Sequence, residues 1–289
     1  MFFIVGGDSE IGGAAFAALK SQDHAVAATT RRRGRVVQDR LFLDLGASLD
    51  GWEPPPGATS ACVCAAVARL ADCAADPEAS AHINVSQTLT LIDKLLRRGV
   101  YVLFLSTNQV FDGAVPQVPP DAAHSPVSEY GRQKATAEAA FGERMRQGAP
   151  VSILRLAKIV SPGTELLCQW LTSLGSGQSI RAFDDMVMAP TPVALVVAAI
   201  EHLLAEPTSG IFQLTAPRDI VYSDIAAHLA RGLGADPALV ERVSASSAGL
   251  PPGSTAQHTT LDSSALRERF GIVAPDAWEV IDAVVESYR

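Results

Sequence analysis

Tyr130 and Lys134 stand four residues apart in Tyr130-Gly-Arg-Gln-Lys134, just after Pro126. A helix starting there carries the phenol and the ammonium on one face. Such a pair can move a proton, because a phenol with a pKa of about 10 is a poor acid–base group at neutral pH until a neighbouring ammonium favours its ionised form. The spacing alone is common on protein surfaces. It gains meaning from Ser106-Thr-Asn-Gln-Val-Phe-Asp-Gly113, which directly follows the apolar run 100–105. Thr107 there can donate a hydrogen bond to a substrate carbonyl while Tyr130 passes it a proton. Ser106 is the alternative hydroxyl, and strand capping is the plain reading of either.

A third signal lies at the N-terminus. Gly6-Gly-Asp-Ser-Glu-Ile-Gly12 follows an apolar run at 2–5 and opens an Ala-rich helical stretch at 11–20, the context in which a glycine-rich turn holds a dinucleotide. Gly6 suits a tight turn and Gly12 a close helix. The free N–H groups of Ser9, Glu10 and Ile11 at the helix start attract a pyrophosphate. Ser9 replaces the usual middle glycine, which fits if its φ is negative and its hydroxyl faces a phosphate. An ordinary strand-to-helix turn is the competing reading. The second strand ends in Thr29-Thr30-Arg31-Arg32-Arg33 without a carboxylate, favouring NADP(H), with NAD(H) as the alternative, since guanidinium groups match a 2′-phosphate. Asp44, with Leu45, closes the third apolar run and can face the adenine edge or merely cap a turn. With a nicotinamide bound, Lys134 can hold its ribose as well as the phenol.

The elements that must position these groups alternate. Apolar runs at 2–5, 24–29, 41–43, 61–64 and 100–105 read as strands, and 11–20 and 83–98 as helices. That pattern predicts an α/β fold, a Rossmann-like doubly wound parallel sheet with its site at the C-terminal strand ends. Turn signals at Ser161-Pro-Gly, Gly175-Ser-Gly and Ala189-Pro-Thr-Pro mark a change of character. We divide the chain into 1–160, a cofactor-binding Rossmann domain, and 161–289, a smaller interleaved substrate lobe. Helices at 193–205, 222–233 and 274–287, a strand from Gly210 that returns to the large domain, and a Pro/Gly/Ser-rich loop at 244–258 complete it.

Composition narrows the function classes. The chain has 289 residues, 48% hydrophobic and 19% charged, with a formal net charge of −8. A large core is feasible, and the acidic balance argues against a nucleic-acid groove. Cys62, Cys64, Cys73 and Cys168 lack the spacing of a zinc site or disulfide scaffold, and the six histidines form no ligand cluster, so no metal is assigned. With no basic n-region and no apolar run of about 20 residues, neither a signal peptide nor a membrane span is expected, and a cytoplasmic location is the default.

The chain resembles the extended short-chain dehydrogenases/reductases, and among them the dTDP-4-dehydrorhamnose reductase group. The resemblance runs through Gly6 to Gly12, Asp44-Leu45, Cys64-Ala-Ala66, Asn84-Val85, Ser106 to Gly113, Tyr130 to Lys134 and Arg155-Leu-Ala-Lys158. Phe183-Asp-Asp, Pro190-Thr-Pro192, Gly210-Ile-Phe-Gln-Leu-Thr and His258-Thr-Thr-Leu-Asp262 extend it. It implies that Cys64, Ala65, Ala66, Ser106 and Leu156 line the cofactor, with Asn84 on the helix behind. Arg155 and Lys158 would lie near the nicotinamide or substrate, and Thr107, Asn108, Gln109, Val110 and Phe183 would border the substrate. Asn108-Gln109 stands where the family usually has Asp-Tyr, so the sugar is open. The expected activity is NADPH-dependent reduction of a keto group, at C4, on a nucleotide-linked sugar, in a homodimer. The alternatives are an epimerase of the same superfamily and a non-catalytic NADP-binding regulatory protein.

Overall fold

Residues 1–245, 248–251 and 253–289 are described by the computed structural model. Ser246, Ser247 and Pro252, in the loop 244–258, lie outside them. The chain opens with β1 (Phe2–Val5), α1 (Glu10–Ser21), β2 (Val26–Thr30), β3 (Arg40–Phe42) and β4 (Ser60–Val63). Three helices follow, α2 (Leu70–Ala75), α3 (Pro77–Ala81) and α4 (Thr88–Arg97), then β5 (Tyr101–Thr107), α5 (Glu129–Arg146), β6 (Val151–Leu156) and β7 (Lys158–Val160). The C-terminal half contains α6 (Glu165–Gly175), β8 (Ile180–Phe183), β9 (Val187–Met188), β10 (Pro190–Pro192), α7 (Val193–Ala205) and β11 (Gly210–Leu214). It ends with β12 (Ile220–Val221), α8 (Tyr222–Leu233), β13 (Val240–Val243), α9 (Ser264–Phe270) and α10 (Ala277–Tyr288).

Seven strands form one parallel sheet in the order β11-β6-β5-β4-β1-β2-β3. From β1 the chain winds outward to β3, then crosses to β4 and winds the other way. Between β1 and β4 the strand order reverses, and a crevice opens there at the carboxyl ends. Alternation along the strands splits the core: Ile4, Leu103 and Leu105 face α1 and α7, whereas Phe3, Val5, Val102 and Phe104 face α4 and α5. Phe104 stacks on Phe141 of α5 with ring centroids 4.5 Å apart, and burying such a ring contributes about 1.5–3 kcal/mol. A third core lies among α6, α8 and α10, around Trp170, Leu171, Leu229 and Ile281.

Two expectations are corrected. Ala189-Pro-Thr-Pro, expected to turn, makes β10, which pairs with β7 alone in a two-stranded ladder. Proline is tolerated there because an edge strand has a side that needs no donor. The helix expected over 83–98 begins as a π-helical turn, His82–Gln87, before α4. The helix α9 was not foreseen, while β11 joins the large sheet beside β6.

Candidate active site

The turn after β1 is built by sterics. Gly6 has φ +94°, and a Cβ on it would lie 2.8 Å from the Ala65 nitrogen, so only glycine fits. A Cβ on Gly12 would run into the Gly6 carbonyl, so Gly12 serves packing and stays out of the crevice. Ser9 has the expected negative φ, −78°, but its hydroxyl turns inward as the helix cap. It donates to the Gly6 carbonyl at 2.7 Å and accepts from the Gly12 N–H at 3.1 Å. Helix geometry leaves the N–H groups of Glu10 and Ile11 without intrahelical acceptors, so the positive end of α1 remains. Glu10's own side chain is exposed and accepts from Ser161 Oγ at 2.5 Å, away from both clefts described next.

One cleft of about 420 Å³ brings together Gly6, Asp8, Ser9, Thr30, Arg31, Arg32, Asp44, Leu45, Ala65 and Ala66. Asp44 accepts from the Gly46 N–H at 2.9 Å, and Arg33 leaves the group to sit 4.1 Å over the Phe42 ring. Asn84 does not reach the cleft. Buried in the π-helical turn, it accepts from the Val67 N–H at 2.8 Å and donates to the Val67 carbonyl at 2.9 Å and to Gln133 at 2.7 Å. It thereby braces the wall that Ala65 and Ala66 form. No spacing in the sequence points to Asp8, which reaches the end of β2 only through the pairing of β1 with β2.

Ala66 also borders a second cleft of about 440 Å³, with Ile11, Cys64, Ser106, Thr107, Asn108, Gln109, Tyr130, Lys134, Leu156 and Lys158. Helix α5 is started by Ser128, whose Oγ accepts from the Gly131 N–H at 3.0 Å. Gly131 packs so near the Gln109 carbonyl that any side chain would clash, and this closeness holds Tyr130 and Lys134 against the end of β5. Thr107 Oγ1 accepts from the Gln109 N–H at 3.2 Å and lies 3.4 Å from Asn108 Oδ1. Ser106 Oγ is buried on the same strand end with no hydrogen-bond partner among the described residues. Lys158 is exposed at the mouth and forms no ion pair among them.

The electrostatics differ from the expectation. Lys134 is 3% exposed, donates to the Leu105 carbonyl at 2.5 Å and lies 3.8 Å over the Phe104 ring. Burial pushes its pKa down to about 7, against the opposing pull of Glu138. Burial also raises Tyr130 well above its ordinary value, with Cys73 adding to the shift. Desolvation dominates both groups, and the Lys134 charge is not among the causes of the Tyr130 shift. A phenol so placed stays protonated at neutral pH, the form a proton donor needs.

Val110, Phe183 and Arg155 lie outside both clefts, and Gln109 at the edge of the second one is engaged in structural bonds. Val110 is fully buried in a small core with Phe111, Val118 and Leu261. Phe183 is held in β8, paired with Val243, and the cleft is lined instead by Met186, Val187 and Met188 beyond it. Gln109 ties loop to helix, donating to the Gly253 carbonyl at 3.2 Å and accepting from Ser128 Oγ at 3.1 Å. Arg155 touches neither cleft; it is 1% exposed and clasped by Glu138. Tyr222, with its phenol pushed up to about 12 by burial, and Gly253, Ala256 and Thr259 come from the C-terminal half. No spacing in the sequence points to them. They arrive by tertiary packing of the C-terminal half beside the end of β5.

Comparison with known proteins agrees with this architecture. The chain is 26% identical over 185 residues to the "Probable low-salt glycan biosynthesis reductase Agl14" of Haloferax volcanii, covering 62% of this chain and 61% of that relative's length. It is 25% identical over 279 residues to dTDP-4-keto-6-deoxy-D-glucose reductase of Streptomyces niveus, covering 96% of this chain and 89% of the relative. Among solved structures, MoeE5 in complex with UDP-glucuronic acid and NAD superposes with a TM-score of 0.82 at 20% identity, over 100% of this chain and 98% of that one, a likeness of fold. The RmlD substrate binding domain matches residues 1–289. The chain belongs to that family.

Proposed function

We propose that this protein reduces a keto group, at C4, of a nucleotide-linked sugar with NADPH. The observation that carries the reading is the convergence of Thr107, Tyr130 and Lys134 on one cleft at the carboxyl end of β5, contiguous at Ala66 with a glycine-turn cleft that Arg31 and Arg32 line. The named reductase relatives support the substrate class.

The residues fit a dinucleotide. The N–H groups of Glu10 and Ile11 at the start of α1 suit its pyrophosphate, Arg31 and Arg32 a 2′-phosphate, and Asp44 with Leu45 the adenine edge. Cys64, Ala66, Ser106 and Leu156 lie toward the nicotinamide end. When bound, the cofactor supplies the hydride. Thr107 Oγ1 turns from Asn108 to donate to the substrate carbonyl, and Tyr130 Oη gives its proton to the same oxygen as negative charge develops there. Lys134 Nζ stabilises the phenolate left behind and holds the ribose. Lys158 at the mouth suits the diphosphate of the sugar nucleotide.

The test is NADPH consumption across a panel of nucleotide keto-sugars. Turnover should fall about 10²- to 10⁴-fold in Tyr130→Phe, which keeps the ring and removes the proton. Wild-type turnover in that variant sinks the assignment. Conversion of a sugar nucleotide without net NADPH consumption would point instead to an epimerase, and cofactor binding with no turnover to a regulatory protein.

A further inference from the structure

The second strand lacks an acidic residue, yet the cleft at its end contains one. Asp8, from the turn after β1, lines the same cleft as Thr30, Arg31 and Arg32. Its Oδ2 accepts from Thr30 Oγ1, on the last residue of β2, at 2.6 Å. Its Oδ1 lies 3.6 Å from both Arg35 and Arg40, and the side chain is 19% exposed. A carboxylate has about four lone-pair positions, so these contacts leave it able to accept more. Burial opposes its charge, but the Thr30 hydrogen bond and the Arg32 and Arg35 charges outweigh that and keep it ionised at neutral pH.

We infer that Asp8 discriminates between the two nicotinamide cofactors, accepting a hydrogen bond from the adenosine ribose 2′-hydroxyl of NADH and opposing the 2′-phosphate of NADPH. A carboxylate beside the end of the second strand does this in dinucleotide folds generally; here it is delivered by the glycine turn and pinned to β2 through Thr30. Arg31 and Arg32 favour the phosphate and Asp8 moderates them, so the protein accepts both cofactors. The inference rests on the nicotinamide reading proposed above and moderates its preference for NADPH.

The full chain is titrated with NADPH and with NADH, following cofactor fluorescence, with thermal midpoints measured in parallel. The two affinities of the wild type should lie within roughly tenfold, and Asp8→Asn should raise the NADPH:NADH affinity ratio by about tenfold or more, NADPH tightening and NADH weakening. Asp8→Glu, which keeps the charge, should stay near the wild-type ratio. If Asp8→Asn loses its thermal midpoint, Asp8→Thr, whose hydroxyl can still meet Thr30, reads the same ratio. An unchanged ratio in a folded neutral variant, with both cofactors binding, overturns this inference alone. Failure of the wild type to bind either cofactor overturns it together with the proposed function.

Discussion

Lys134 and Arg155 are both buried cations, 3% and 1% exposed, on the adjacent elements α5 and β6. They are treated oppositely. Arg155 is fully partnered: it meets Glu138 at 2.7 to 3.1 Å through two nitrogens, Gln213 Oε1 and the Pro120 carbonyl at 3.0 Å, and His124 at 3.1 Å. Glu138 is itself 2% exposed, and the pair ties α5 to β6 and, through Gln213, to β11. Lys134 has a carbonyl and an aromatic face but no carboxylate in contact, and its pKa falls to about 7. A buried charge with a full set of partners holds structure together. A buried charge left short of partners carries an unfavourable energy, and it sits where a ligand could supply what is missing.

The largest effect should come from breaking the satisfied pair. Arg155→Met leaves the Glu138 carboxylate buried alone and should cost about 3–5 kcal/mol in denaturant unfolding. Arg155→Met combined with Glu138→Leu should recover most of that loss; a double variant as unstable as the single one would show that Arg155 acts through contacts other than Glu138. Lys134→Met should do the reverse. Reductase turnover should drop roughly 100-fold or more, while stability at pH 6 rises by about 1–3 kcal/mol, because a desolvated ammonium is removed. The sign with pH is definite. The folded lysine loses its proton near pH 7 and the unfolded one near 10.5, so the wild type gains stability between those values and the advantage of the variant shrinks across that window. An advantage that stays constant with pH would refute the unpaired-ammonium account.

The smallest effect concerns Glu138. Burial opposes its ionisation, but its bonds with His124 and Arg155 hold its pKa below the ordinary 4.5. Its contribution is therefore intact above pH 4.5 and is lost as pH falls through the lower folded value. Acid unfolding of the wild type should show this loss below pH 4.5, and the double variant lacking both charges should not.

How far the sequence carries can be seen at particular residues. The glycine turn, the Tyr130/Lys134 spacing and the hydroxyl pair after β5 were legible because each is a local pattern whose geometry follows from the helix or strand that bears it. The parallel sheet was legible for the same reason, from apolar runs alternating with helical periodicity. Val110 and Phe183 lie outside both clefts, because neighbours along the chain do not determine whether a side chain of a short turn or strand meets a cleft or a core. Asp8 was overlooked because its partner, Thr30, lies 22 residues away, and only the pairing of β1 with β2 brings them together.

The sequence by itself determined the class of fold and the alternation of its main strands and helices, and it offered candidate groups for moving a proton, since these depend on local periodicity, backbone permissiveness and side-chain chemistry. Tertiary structure alone decided which of two buried cations is neutralised, that the Ser9 hydroxyl is engaged by Gly6 and Gly12, and that a carboxylate stands beside the arginines. Those outcomes depend on desolvation and on distances between groups remote in the chain, which spacing along a sequence does not encode.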